Sequence, residues 1–109
     1  MQPEDISRYI TELRSRFKEL EARLADPRVY SDHRESRRVS SEHRKLADLF
    51  NDYDRWCASI ESLAEVHGML REEEDSELRG LIEQEMLSLE AEIDALRSDI
   101  QLALLPPDP

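Results

Sequence analysis

Apolar side chains near the N-terminus recur at alternating gaps of four and three residues. They are Ile6, Ile10, Leu13, Phe17, Leu20 and Leu24. On an α-helix this spacing puts every member on one face, as in the heptad seam of a coiled coil. Pro3 suits a helix N-terminus, and Pro27 opposes continuation of the helix. The spacing therefore predicts a first helix over residues 3–26 whose apolar face needs a partner.

Two further segments share this periodicity, and they predict helices over about 33–71 and 76–105. The first of them carries two adjacent apolar stripes, which consist of Val39, His43, Leu46, Phe50, Tyr53, Cys57, Ile60, Ala64 and His67, and of Leu49, Trp56, Leu63 and Leu70. Two adjacent stripes favour a helix that packs against two partners. Residues 27–32 are predicted to form a loop. Asp32 is the predicted N-cap of the second helix, and either Asp75 or Ser76 is the predicted N-cap of the third.

The predicted fold class is all-α. Only two glycines occur in the chain, which argues against a turn-rich β-sandwich or barrel. Three helices with short connections predict an elongated antiparallel three-helix bundle with coiled-coil-like packing. Because the first helix is shorter than the other two, we expect part of the second and third helices to project as a helical hairpin. The predicted bundle domain covers residues 1–105, and residues 106–109 are predicted to start a linker to a further domain. We expect the core to include Phe50, Trp56, Leu63 and Leu89.

Composition excludes several classes of protein. The chain has 15 Lys and Arg against 26 Asp and Glu, a formal net charge of −11, which opposes duplex DNA binding over the whole surface. The single cysteine cannot form an internal disulfide. No apolar segment suits a signal peptide or a membrane span. We therefore expect a cytoplasmic protein that binds neither DNA nor a membrane.

Residues that could carry catalysis do not form a recognisable constellation. His33, His43 and His67 lack both the Glu-x-x-His and the His-x-x-x-His spacing of helical metal sites. Cys57 lies among apolar residues, which favours a small buried side chain over a nucleophile. We expect no catalytic residue, no metal and no cofactor.

One cluster of charged residues is basic, although the chain as a whole is acidic. Five cations and two acids occur between His33 and Lys45, whereas residues 72–99 hold eleven acids and two arginines. We do not expect all five cations to share one helix face. Candidate RNA-contact residues are those predicted to form one ridge, namely Arg34, Arg37, Arg38 and Lys45. The alternative is that these arginines pair with acids of the third helix, which contributes little to stability.

Four segments together carry a family resemblance. They are Leu24-Ala25-Asp26-Pro27, Val29-Tyr30-Ser31-Asp32, Ser41-Glu42-His43-Arg44-Lys45-Leu46 and Leu104-Leu105-Pro106-Pro107-Asp108-Pro109. Their order, over essentially the whole chain, resembles the N-terminal domain of bacterial class 1 peptide chain release factors. The last segment is more similar to the type 1 factor, which reads UAA and UAG, than to the type 2 factor.

The resemblance implies a three-helix domain that precedes a codon-reading domain and a domain with a Gly-Gly-Gln catalytic motif. Neither that motif nor the codon-reading tripeptide occurs in this sequence. The implied partner is the ribosome, at the rRNA and protein of the GTPase-associated stalk base, and the basic ridge becomes a candidate contact. Two alternatives stay open: a free-standing coiled-coil adaptor or dimerisation module, and a small helical ribosome-associated RNA-binding protein. Self-association of the chain also stays open.

Overall fold

The computed structural model describes residues 2–105, and for residue 3 it describes the backbone only. This range contains four helices and no strand. Helix α1 spans Pro3–Leu24, α2 spans Pro27–Tyr30, α3 spans His33–Glu72 and α4 spans Ser76–Leu104. The all-α prediction is confirmed, and the ends of the three long helices lie within two residues of their predicted positions. No helix in the described range is both long enough and apolar enough to cross a membrane.

Residues 27–30 correct the sequence prediction, because they form a helical turn where a loop was expected. The Asp26 carboxylate accepts a hydrogen bond from the backbone N–H of Arg28 at 2.9 Å and caps the turn. Proline suits the first position of this turn, where its missing N–H leaves no bond unmade. Proline also disfavours a helical residue before it, and Asp26 is extended, so α1 ends at Leu24 rather than at residue 26.

Asp32 caps α3 as predicted, and Asp75 is the one of the two predicted candidates that caps α4. Oδ1 of Asp32 accepts backbone hydrogen bonds from the residues two and three positions later, at 3.1 and 3.2 Å. Oδ1 of Asp75 accepts the equivalent pair at 2.9 and 3.1 Å. Each carboxylate satisfies N–H groups that the helix leaves unpaired, and its charge lies at the positive end of the helix dipole.

The chain divides into two compact units, of which the first ends at Asn51 and the second spans Asp52–Leu105. In the first unit α1 packs antiparallel against the first half of α3. Arg16 donates to both carboxylate oxygens of Glu42, each at 2.9 Å, and Arg23 pairs with Glu35. Since the earlier arginine meets the later glutamate, the two helices run in opposite directions.

The core of the first unit confirms the apolar face predicted for α1. Its buried side chains are Ile6, Ile10, Leu20, Val39, Leu46, Leu49 and Phe50. At its margin Phe17 stacks on His43, with ring centroids 4.2 Å apart, and meets the Phe50 ring edge-on at 5.3 Å. The Arg14 guanidinium lies 4.9 Å from the centroid of the Phe50 ring. These ring and cation contacts stabilise the packing of the two helices in addition to the burial of apolar surface.

In the second unit α4 packs antiparallel against the second half of α3. Its buried side chains are Trp56, Ser59, Leu89, Ile93, Leu96 and Ile100. Arg79, near the start of α4, donates to the backbone carbonyls of Leu70 at 2.7 Å and Glu73 at 2.9 Å. These two bonds satisfy carbonyls at the C-terminus of α3, where a positive charge is also favourable.

The buried face on the second half of α3 is narrower than the sequence predicted. Ile60, Ala64 and His67, which were expected on the packed face, are exposed, and Leu63 is only half-buried. Within this unit α3 has one helical partner, so α4 covers the stripe that continues from Trp56 and leaves the adjacent stripe in solvent. Burial of Phe50, Trp56 and Leu89 is confirmed, and the prediction for Leu63 is wrong.

Replacing Phe50 by alanine should destabilise the fold by about 3 kcal/mol or more, because the change leaves a cavity where the ring of Phe17 now makes contact. Urea denaturation followed by circular dichroism measures the loss. Tyr30, an aromatic residue of the same unit that is 56% exposed, supplies the matched control. Tyr30→Ala should cost less than about 1 kcal/mol. Equal losses for the two variants would contradict the burial described here.

Acid should weaken the α1–α3 contact through Glu42. Hydrogen bonds from Arg16 hold the pKa of this carboxyl below its usual value. A group whose pKa is lower in the folded state stabilises that state above its unfolded pKa, and the stabilisation is lost as the pH falls through the folded value. Wild type should therefore exceed Glu42→Gln in stability at neutral pH, by no more than about 1 kcal/mol since solvent screens the half-exposed pair.

That stability difference should close below about pH 4, where glutamate carboxyls become protonated. Denaturation of both proteins across the acidic range measures it. The exposed Glu12 on α1 gives the control, because Glu12→Gln should show no comparable convergence. A difference between wild type and Glu42→Gln that persists unchanged in acid would contradict the role assigned to the pair.

Candidate nucleic-acid interface

The first half of α3 has a basic side that lies opposite its packed side. Successive residues of an α-helix are about 100° apart around the axis, since one turn takes about 3.6 residues. On this scale Arg34, Arg37, Arg44 and Lys45 fall within about a third of the circumference. Val39, Leu46 and Phe50, which are buried, fall on the other side. Packing against α1 thus turns the cations of α3 toward solvent.

The cations of this side differ in whether an acid neutralises them. Arg38 donates from Nη2 to both carboxylate oxygens of Glu35, at 2.8 and 2.9 Å, and Glu35 pairs with Arg23 as well. Arg37 donates from Nε to the backbone carbonyl of His33 at 3.3 Å, which leaves its charge uncompensated. Within residues 2–105 no carboxylate lies at ion-pair distance from Arg34, Arg37, Arg44 or Lys45.

A depression of about 370 Å³ lies on this basic side. The side chains that line it, called the basic depression below, are Ser36, Arg37, Ser40, Ser41, Arg44, Lys45 and Asp48. Three cations and one carboxylate give the lining a net positive charge, and three hydroxyl groups add neutral hydrogen-bond donors. Guanidinium, ammonium and hydroxyl groups are the donors that proteins use to hold phosphate oxygens.

The structure sets Arg38 apart from the rest of the predicted ridge and adds Arg44 to the same side of the helix. Arg37 and Lys45 line the basic depression, and Arg34 lies one turn closer to the N-terminus on the same side. Arg38 lies beside them but is engaged by Glu35. Arg44, which the sequence analysis set apart from the ridge, lines the depression together with Arg37. The signal that could have found it is the seven-residue interval between them, which returns a helix to the same face.

The three histidines and the cysteine lie in different surroundings, and none is part of the basic depression. His43 stacks on Phe17, while His33 and His67 are exposed. Cys57, expected to be buried, is half-buried on α3. Among the residues that the structure describes, no three histidine, cysteine, aspartate or glutamate side chains group as ligands for a metal ion.

Comparison with known proteins gives the family to which this chain belongs. The PCRF domain family matches residues 13–109, nearly nine-tenths of the sequence, and the chain belongs to that family. The match covers α2, α3, α4 and the part of α1 that packs against the start of α3. The sequence-based resemblance is therefore confirmed at the level of the family.

Similar curated proteins carry the name Peptide chain release factor 1. The protein from Akkermansia muciniphila is 36% identical over 104 residues, which are 95% of this chain and 29% of the relative. The protein from Pelobacter propionicus is 39% identical over 100 residues, or 92% and 27% of the two chains. The protein from Chlorobaculum tepidum is 31% identical over 96 residues, or 88% and 27%. The chain thus spans less than a third of the length of these relatives, and no solved structure matches it.

The uncompensated cations should be dispensable for folding. The double change Arg37→Gln and Arg44→Gln should alter the free energy of unfolding by no more than about 0.5 kcal/mol, because neither side chain has an acidic partner in the described part of the chain. Arg16→Gln, which removes both bonds to Glu42, should give the larger loss in the same urea titration. A loss in the double variant that equals or exceeds the loss in Arg16→Gln would show that these cations hold the fold together.

Proposed function

We propose that the chain is the N-terminal, non-catalytic domain of a bacterial translation termination factor of the type that reads UAA and UAG. The observation that carries this proposal is the PCRF domain match over residues 13–109, together with relatives named Peptide chain release factor 1 of which the chain spans 27–29%. A domain of that length leaves room in such a protein for separate codon-reading and catalytic domains. The chain would act in the cytoplasm, where ribosomes translate.

The ribosome is the proposed partner, contacted at the rRNA and protein of the GTPase-associated stalk base. The support is electrostatic. In a chain with a net charge of −11, the approach of RNA is favourable only where cations are concentrated and unpaired. The basic side of α3 meets both conditions with Arg34, Arg37 and Lys45, whereas Arg38 of the predicted ridge is paired with Glu35. This side would orient the domain on the ribosome.

The genomic DNA that follows the codon for Pro109 discriminates between this proposal and a free-standing adaptor. A reading frame that continues into a segment with Gly-Gly-Gln supports the termination factor. A stop codon directly after Pro109 would contradict it and favour the adaptor. Sequencing across that position is sufficient.

Hydroxyl-radical probing tests the ribosomal contact. Asn51 is exposed on α3, about one turn beyond Asp48. An iron chelate attached through Asn51→Cys, in a Cys57→Ser background, should cleave large-subunit rRNA at the stalk base. The matched control carries the same tether together with Arg34→Glu and Arg37→Glu. This control should lose the cleavage at low salt, where the removed attraction is least screened.

Two results would contradict the contact. One is a cleavage pattern that the two charge reversals leave unchanged, since the cations would then have no part in placing the domain. The other is cleavage by the wild-type surface that is confined to rRNA outside the stalk base. Circular dichroism of the reversed variant confirms that it remains folded, so a loss of cleavage reports on binding.

A further inference from the structure

We propose that the basic depression of α3 binds the phosphodiester backbone of RNA, with Arg37 and Arg44 as the residues that supply its binding charge. The adjacent Arg38 supplies none. This inference rests on the proposed function and extends it, because it names the chemistry of the partner and separates binding arginines from a structural one. It also includes Arg44, which was not among the predicted ridge residues.

The geometry of α3 brings Arg37 and Arg44 to the same opening. Seven residues separate them, which corresponds to about 10 Å along the helix axis at about 1.5 Å per residue. Both line the depression, and Lys45 lies next to Arg44 in its wall. Long side chains that start two turns apart on one face can contact successive phosphates of a single strand. The negative charge of Asp48 bounds the anion-binding surface at the C-terminal end of the depression.

Three hydroxyl groups in the depression are available as donors. Hydroxyl side chains inside helices commonly bond to a carbonyl four residues earlier, as Thr11 does to Ser7 at 3.0 Å. In the described structure Ser36, Ser40 and Ser41 make no side-chain hydrogen bond. Their hydroxyl groups lie among unpaired cations and can donate to phosphate oxygens without breaking an existing contact.

Arg38 is excluded from this role by its partner. Its guanidinium is held by both oxygens of Glu35, whose side chain is only 25% exposed. The same carboxylate pairs with Arg23 of α1. Withdrawal of Arg38 toward a phosphate would remove one of the two cations from a partly buried carboxylate. Arg38 therefore positions Glu35 at the contact between α1 and α3.

The chemistry favours RNA over an acidic protein as the occupant. An RNA strand presents a charge at every nucleotide and releases a condensed counterion for each phosphate neutralised, which an acidic protein surface does not. The depression lies open on the outer side of one helix, so it suits an extended strand rather than an enclosed small molecule. Exposed serine hydroxyls add donors that suit the several oxygens of a phosphate.

The test measures binding of the 109-residue chain to a fluorescein-labelled oligouridylate by fluorescence anisotropy, from about 25 to about 200 mM salt. Arg37→Gln and Arg44→Gln should each weaken binding several-fold at low salt and reduce the slope of log affinity against log salt by about 0.7. Ser41→Ala should weaken binding with no change in slope, since it removes a neutral donor. Arg38→Gln is the matched control, and its slope should equal that of wild type.

The results that overturn the assignment are distinct from those that overturn the proposed function. Equal changes in the salt slope for all three glutamine variants would show that Arg37, Arg38 and Arg44 contribute alike to binding. That result would overturn the separation of Arg38 from the other two. Ribosome co-sedimentation that Arg44→Gln weakens, without binding of wild type to oligouridylate, would assign the depression to an acidic protein. Predicted slopes on oligouridylate, without binding of wild type to ribosomes, would support the RNA site and contradict the proposed function.

Discussion

The contact between α1 and the first half of α3 determines which side of α3 remains free. A helix of 40 residues with an apolar stripe is stable in water chiefly when another element covers that stripe. In the first unit α1 covers it, with Arg16 bonded to Glu42 and Phe17 stacked on His43. The position of α1 thereby fixes the rotation of α3 and turns the opposite side, with its basic depression, toward solvent.

The same contact also decides the charge of that free side. Only two acids occur between His33 and Lys45, and both are engaged by arginines of α1. Glu42 accepts from Arg16, and Glu35 pairs with Arg23 while it also holds Arg38. Among the residues that the structure describes, the remaining cations have no acid at ion-pair distance, so a chain that is strongly acidic as a whole presents a local positive surface. Folding and the proposed RNA contact are linked through these two carboxylates.

Periodicity and capping residues predicted most of the fold because both depend on local geometry. The gaps between Ile6 and Leu24 identified α1, and Asp32 and Asp75 marked where the next long helices begin. The helical turn at 27–30 was missed because Pro27 both ends one helix and suits the first position of another. Exposure of Ile60 was missed because periodicity shows which residues share a face, and only tertiary packing shows whether a partner covers it. The pairing of Glu35 with Arg23, which makes this carboxylate part of the contact between α1 and α3, likewise depends on the position of α1.

One side of α3 builds the fold, and the opposite side is the one proposed to contact RNA. Nuclear magnetic resonance spectra of the isotope-labelled chain, titrated with a transcript of the stalk-base rRNA, distinguish the two sides. We expect amide shifts that recur at helical spacing on Arg37, Ser41, Arg44, Lys45 and Asp48, while signals from Val39, Leu46 and Phe50 change least. Shifts centred on α4, or spread equally over both sides of α3, would contradict it.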